Sequence, residues 1–476
     1  VMTTPAICRD VRFVKVDVYP VLSTPSKASI EAARQVTFEL KINNGVGINE
    51  KQVERRPISP DLDNMYRKMF INYDSLGLDV GSTRDSNVRY LIISADSHIA
   101  SIQPLADWWT RAGIFVEVLG TSVTGSSQAD VYSTIMDYYT NENTEYVLLV
   151  GEVNEIALGN TGSQDPGDYN YQLLEGSDDY ADIALGRILH TDNNVIDHVV
   201  ARTLNYVLDP PADGWLDKSM LCAHGEQYPG KYTECCEFIR TFSYAIDQLI
   251  FDTYYPPEGA THAMVEAAMT EGRGIVNYRG HGDNTYWTWA PDWDVQHTHA
   301  LQNGAYTPIV WNIACYNGNI TTSGECLSEA WQNAGSSGEG GAVANIGATE
   351  PSYTIANHAF DKMLYQAPFN EGIFRFGYTV NRAKDYMIDE EGSYGVDNAF
   401  MYLTFGDPAI DIHGQTLFDA NVTHLPTVSM GGGVFEVTVD DGGTPVENAM
   451  VCIMKEEDGL YEVAYTDASG FVSVPS

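Results

Sequence analysis

Two side chains 34 residues apart carry the chemistry this chain is equipped to perform. His281 follows the apolar run Gly274-Ile275-Val276-Asn277-Tyr278-Arg279-Gly280 and precedes Gly282. Cys315 follows Pro308-Ile309-Val310-Trp311-Asn312-Ile313-Ala314 and opens into Tyr316-Asn317-Gly318-Asn319. Most free cysteines are small core hydrophobes. A thiol that ends a strand and faces a Gly/Asn loop is placed instead as a nucleophile. A histidine beside it assists thiolate formation and protonates a leaving amine. Taken alone, His281 reads equally as a solvated loop residue. Glycine on both sides argues for a special backbone with room for a ligand close to the main chain. The N–H groups of Gly282 and Cys315 are candidate oxyanion donors.

Such side chains need a scaffold, and the sequence spells one out. Apolar runs recur at Tyr90–Ser94, Phe115–Leu119, Tyr146–Gly151, Ile183–Ile188, Met220–Ala223, the two runs above, and Ala342–Gly347. Helical periodicity lies between them, at Ile102–Ala112, Gln128–Asn141 and Cys235–Ile250. Alternating helices and uniformly apolar strands predict an α/β fold with a parallel sheet buried on both faces. Sites in such sheets form at the carboxyl ends of strands. Those ends carry Glu152, Glu226, His281, Cys315 and Thr349, which are expected along one edge.

The flanks differ. Residues 1–86 read as a β-rich segment, with alternation at Val14–Val18 and Gln35–Ile42 and a polar passage around Arg55-Arg56-Pro57 and Gly81–Ser86. From 419 onward, short alternating strands with Gly/Asp turns suggest an immunoglobulin-like β domain over 419–476, with room for about four or five of the ~7 strands of a full one. Between them, 87–216 and 217–418 are expected as two α/β subdomains, the second bearing the His and the Cys.

Bulk properties narrow the class. The 476 residues suffice for several domains, and 44% are hydrophobic. The net charge of −39 argues against nucleic-acid binding, which needs a basic surface. It suits high solubility, a saline habitat or divalent cations. Seven scattered cysteines make no disulfide framework and no zinc spacing. No run is long enough for a membrane helix, and no signal peptide is visible. There is no P-loop, dinucleotide fingerprint or HExxH motif.

The run into His281-Gly282 and the run into Ala314-Cys315 resemble those of the caspase-like cysteine peptidases, and within them the gingipain family. The resemblance spans roughly residues 87–415. It includes Tyr146–Gly151, Asp182–Arg187, Val276–Gly282, Asn312–Gly318 and Phe405-Gly406-Asp407-Pro408. It implies a secreted or cell-surface cysteine endopeptidase acting on proteins or peptides, made as a zymogen, with a prosegment before the catalytic unit and an immunoglobulin-like domain after it. It also implies roles. Glu226 matches a glutamate that orients the catalytic His. Glu152, Asp178 and Asp182, with main-chain oxygens of Glu175 and Tyr180, match a structural calcium site, and calcium favours such oxygen donors. Glu237 or Glu234 matches an acid that holds Arg or Lys at P1 through charge-assisted bonds. Either acid would also serve simply as a favourable first-turn helix residue. Tyr353 falls near an aromatic wall of that pocket. With such a specificity, Arg84 is a plausible activation site between prosegment and catalytic unit. Two rival readings remain: a non-catalytic, calcium-stabilised adhesion protein on a peptidase-like scaffold, and a hydrolase that uses Glu152 and Glu226 as its working carboxylates.

Overall fold

The computed structural model describes residues 2–24, 29–39, 47–53, 57–80, 89–160, 166–242, 248–289, 292–335, 339–413, 417, 420–427, 433–455 and 460–475. Arg84 lies outside them, as do residues 40–42 of the strand expected at Gln35–Ile42; residues 35–39 form no strand.

Ten strands make one sheet. In chain order they are β1 (Tyr90–Ser94), β2 (Val116–Gly120), β3 (Tyr146–Val150), β4 (Ala184–Ile188), β5 (Lys218–Ala223), β6 (Ile250–Tyr254), β7 (Ile275–Arg279), β8 (Ile309–Ile313), β9 (Ala344–Ala348) and β10 (Tyr402–Phe405). Their order across the sheet is β6-β5-β7-β8-β9-β10-β4-β3-β1-β2. The central strands are buried along their whole length, as apolar runs covered on both faces by helices must be. Helices Ile99–Arg111 and Gln128–Glu142 match expectation within a few residues, and Ser127 caps the second by accepting from Asp130 N–H.

Two strands escape the sequence pattern. β6 is an edge strand whose Ile250 is exposed, and a helix was expected to run up to it; the helix observed is Tyr232–Phe242. β10 is only four residues long. Yet β10 decides the topology. It pairs antiparallel with β9 and parallel with β4, while every other pairing in the sheet is parallel. The sheet is therefore two parallel blocks pointing in opposite directions. The carboxyl ends of β5, β7, β8 and β9 lie along one edge, and that of β3 lies along the other. Glu152, which follows β3, is thus not on the edge of Glu226, His281, Cys315 and Thr349. Chain order also fails as a boundary, because β10 comes from the later part of the sequence and joins the earlier block.

The N-terminal segment is less β-rich than its sequence suggests, and it is not a separate unit. It holds the short pairs Ala6–Cys8 with Val11–Phe13 and Val21–Thr24 with Ser29–Ala32, then the helix Pro60–Met69. Cys8, Val11, Ile58, Leu62 and Tyr66 are buried in the same apolar core as Tyr90, Tyr146 and Tyr378. At the other end, the described residues between 420 and 475 form six strands in two antiparallel sheets around Val437, Val439, Ala464, Val472 and Val474. They touch the main body through Tyr461, whose hydroxyl donates to Thr110 O at 2.9 Å and whose ring lies 5.3 Å from Phe115.

Candidate active site

Parallel register brings the reactive groups together. Arg279 on β7 pairs with Ile313 on β8, so the two strands leave the sheet level, and two residues later each delivers its reactive side chain, His281 and Cys315. Arg279 pairs on its other side with Ala223 of β5, which sets the loop bearing Glu226 beside His281. The crossing is tight. A Cβ at Gly282 would stand 2.8 Å from Cys315 O and 2.9 Å from Ala314 Cβ, so only glycine lets the two segments approach. Buried Asn317 fastens them further, donating through Nδ2 to Asp283 O at 2.6 Å and Tyr286 O at 3.0 Å.

His281 is half exposed, and its Nε2 lies 2.5 Å from Glu226 Oε2. The Tyr232 hydroxyl is 3.2 Å from the same nitrogen. Both contacts use Nε2, which leaves Nδ1 for reacting atoms. The same Glu226 oxygen accepts from Lys231 Nζ at 2.7 Å. Lys231 first, and His281 second, pull the Glu226 carboxyl down to about 2, so it is ionised at neutral pH. His224 stands edge-on to His281, with ring centres 5.0 Å apart. Its Nδ1 accepts from Glu226 N–H at 3.0 Å, which puts the proton on its Nε2.

All seven cysteines are free thiols, and only Cys315 and Cys452 are not buried. Burial pushes the thiols of Cys8, Cys222, Cys235, Cys236 and Cys326 up, so they are poor nucleophiles. Cys452 packs at the C-terminal strands against Thr110 O. Cys315 alone opens onto the catalytic edge. Its Sγ lies 3.8 Å from Ser352 O and 3.9 Å from Ser352 Oγ.

Residues 83–413 match the family model described as peptidase family C25. The chain belongs to that family. Among curated relatives, gingipain R2 of Porphyromonas gingivalis is 24% identical over 467 residues, covering 93% of this chain and 62% of the relative. Gingipain R1 of the same species is 24% identical over 464 residues, 92% of this chain and 45% of the relative. The chain therefore spans less than two thirds of the length of these proteins. The crystal structure of the Arg-specific cysteine proteinase gingipain R superposes with a TM-score of 0.71 at 20% identity, over 82% of this chain and 98% of that one. The fold is thus shared.

Within the C25 unit the remaining expected residues sort themselves out. Glu234 and Glu237 both lie in the helix Tyr232–Phe242 but face different ways. Glu234 lines a cleft of about 450 Å³ with Lys231, Ile355, His358, Lys362 and Glu390 among its walls. Glu237 is tied to Arg240 at 2.5 Å and to the Tyr255 hydroxyl at 3.0 Å, and it does not line that cleft. Tyr353 does not line that cleft: its ring packs 4.6 Å from Tyr394, whereas Ile355 is among the cleft walls.

The five residues expected to hold calcium do not share a site. Glu152 follows β3 while Glu175, Asp178, Tyr180 and Asp182 precede β4, so the sheet separates them by the five-residue length of the paired strands, roughly 17 Å at about 3.3 Å per residue. The other three acids already have partners. Asp182 accepts from the N–H groups of Arg9, Leu174 and Glu175. Asp178 accepts from Ile7 N and Tyr180 N. Glu175 accepts from Gln52 N, Val53 N, Tyr139 and the Lys51 ammonium. The repulsion legible in this acidic stretch is relieved by the N-terminal segment, and these residues do not fit a shared cation.

Sequence reasoning missed Lys231, Tyr232, His224 and Arg279. Arg279 is buried, sits 4.8 Å over the Tyr232 ring, and donates to Ile313 O and Thr354 O. A charged residue inside an apolar strand was the available signal, since such a group must be fully paired when buried.

Proposed function

We propose that this chain is a cysteine endopeptidase working through Cys315 and His281, with Glu226 orienting the histidine. The observation that carries the reading is the in-register exit of two strands bearing His281 and Cys315, with His281 Nε2 already occupied and Nδ1 left for chemistry. Cys315 Sγ, having passed its proton to His281, adds to the scissile carbonyl and forms a tetrahedral intermediate that still carries the amine. His281 then gives a proton to the departing amine as the C–N bond breaks and a thioester remains. It next takes a proton from water, whose oxygen displaces the sulfur. The N–H groups of Gly282 and Cys315 stabilise the oxyanion. Thr288 N–H bonds His281 O, so Gly282 and Trp287 form the non-hydrogen-bonded pair of that hairpin, and the Gly282 N–H points away from it.

The substrate side follows the cleft. Glu234, Glu390 and Glu391 outnumber Lys231 and Lys362, and Lys231 is spent on Glu226. A protein substrate with Arg or Lys at P1 fits this balance. Gingipain R, whose fold this chain shares, is an Arg-specific cysteine proteinase, which agrees with it. Secretion, synthesis as a zymogen with residues 1–86 as prosegment, and an immunoglobulin-like module at the C-terminus belong to the same reading. No helix among the described residues is long and apolar enough to cross a membrane.

The rival that pairs Glu152 with Glu226 loses its support, because the two lie on opposite edges of the sheet. A positional-scanning peptide library, run with wild type and Cys315→Ala, tests the proposal. Cleavage after Arg or Lys by wild type alone is expected. Cleavage that survives Cys315→Ala overturns the mechanism, and cleavage only after non-basic residues overturns the pocket.

A further inference from the structure

The loop from β5 to the helix Tyr232–Phe242 turns back through Gly230 and Lys231. Lys231 has φ 53°, a left-handed conformation that a long side chain seldom adopts. Glycine or asparagine would sit there at lower cost. The turn brings the lysine to the working edge. Its Nζ is 2.7 Å from Glu226 Oε2, and that oxygen is itself 2.5 Å from His281 Nε2. Nζ also lies 4.6 Å from the centre of the Tyr232 ring, whose hydroxyl touches the same Nε2. An ammonium and an imidazole thus share one carboxylate oxygen, while Lys231 keeps only about a fifth of its side chain exposed.

We propose that Lys231 is a positioning residue of the catalytic edge: by holding one oxygen of Glu226, its ammonium fixes that carboxylate and limits how strongly it can hold a proton on His281. The inference rests on His281 being the proton carrier of the proposed reaction. Two opposite demands fall on that histidine, which must release a proton to the amine and then recover one from water. A carboxylate left wholly to the imidazole would favour the charged ring and oppose the release. A second cation on the same oxygen weakens that preference.

Other charged and titratable groups face this cluster. His224 stands beside His281, with its affinity for protons lowered by burial first and by His281 next. His358, across the cleft, is pushed down to about 3, by burial first, and is neutral. Arg279 lies over Tyr232. Cys315 follows β8, and Asp292 acts on His224 from the hairpin side. Glu234 and Lys362 line the cleft beside Lys231. None of the hydrogen bonds or ion pairs of the described residues places another ammonium or guanidinium on Glu226.

The test is an NMR titration of the His281 ring in the Cys315→Ala protein, which needs no turnover and so is separable from failure of the peptidase reading. Lys231→Met is expected to raise the midpoint by about half to one pH unit, with Lys231→Arg close to the parent. In active protein the same change moves the His281 limb of the kcat/KM profile upward. An unchanged midpoint in a Lys231→Met protein of normal melting temperature overturns the proposal. So does an equal shift in Lys231→Arg, which would point to packing and not charge. The route through the carboxylate is checked by repeating Lys231→Met in Glu226→Gln, where the shift should fall by at least half; an undiminished shift overturns that route. If Lys231→Met does not fold, Lys231→Gln is compared with Lys231→Arg in the same way.

Discussion

The edge that carries Cys315 and the acidic stretch Glu175–Asp182 are built from similar parts and behave differently. Each has a carboxylate in contact with a lysine ammonium: Glu226 with Lys231, Glu175 with Lys51. At the acidic stretch Glu175, Asp178 and Asp182 each also accept two or more N–H groups, and Asp182 is buried. Those three acids have most of their accepting capacity already used. At the catalytic edge, Glu226 is about a third exposed and His281 about half, and Nδ1 of the histidine is free among the described residues. Identical residue types become scaffold or chemistry according to how much of their hydrogen-bonding capacity the fold has already used.

The largest effect that would break this contrast is catalytic. Glu226→Gln should lower kcat by about 10- to 100-fold, a positioning loss below the ~10²–10⁴-fold of a group that itself transfers the proton, whereas Glu152→Gln should leave kcat within about twofold. A strong loss from Glu152→Gln would return that residue to the site. Next is the cleft. Glu234→Gln should raise KM for Arg substrates by about tenfold or more, as loss of a charged hydrogen bond predicts, while Glu237→Gln, already paired with Arg240, should change KM little. Equal effects would blur the assignment of the two faces of that helix.

On the scaffold side, Asp182→Ala strands three N–H groups and should destabilise the chain by about 3 kcal/mol, read by urea unfolding, with kcat of the folded fraction unchanged. The smallest effect is on pH. Burial pushes Asp182 up to about 7, against an ordinary carboxyl near 4. The folded chain therefore binds the proton more tightly than the unfolded one. The resulting stability is fully present below about pH 4 and is lost as pH rises through about 7. Melting temperature should fall over that window in wild type, and the Asp182 share of the slope should vanish in Asp182→Asn.

Much of the site was legible because it depends on strand ends. His281 and Cys315 are each marked by an apolar run, a change to Gly or Asn, and a reactive side chain. Their partners were harder to see. Lys231 ends a loop whose path is set by a left-handed turn and Tyr232 opens the helix after it, and no periodicity announces where such a loop returns. Glu234 and Glu237 were indistinguishable in sequence, since three residues along a helix are nearly one turn but still aim at different neighbours. The fold was legible where strands are buried on both faces. It was obscure at β6, an exposed edge, and at β10, four residues that look like a helix end.

By itself the sequence determined the layered α/β class, singled out Cys315 and His281 as the candidate nucleophile and its histidine, and carried a net charge of −39 that argues against a basic nucleic-acid surface. These follow from local apolar patterning, reactive side-chain types and net charge, all properties of short windows or of the whole composition. Only the tertiary structure decided which carboxylates stand with the dyad. One antiparallel pairing between β9 and β10 reversed half of the sheet and carried Glu152 away. The docking of Ile7, Arg9, Asn49, Lys51, Gln52 and Val53 gave Glu175, Asp178 and Asp182, in an acidic stretch that invited a cation, donors of their own. Both outcomes depend on contacts between residues far apart in sequence, and no local pattern encodes them.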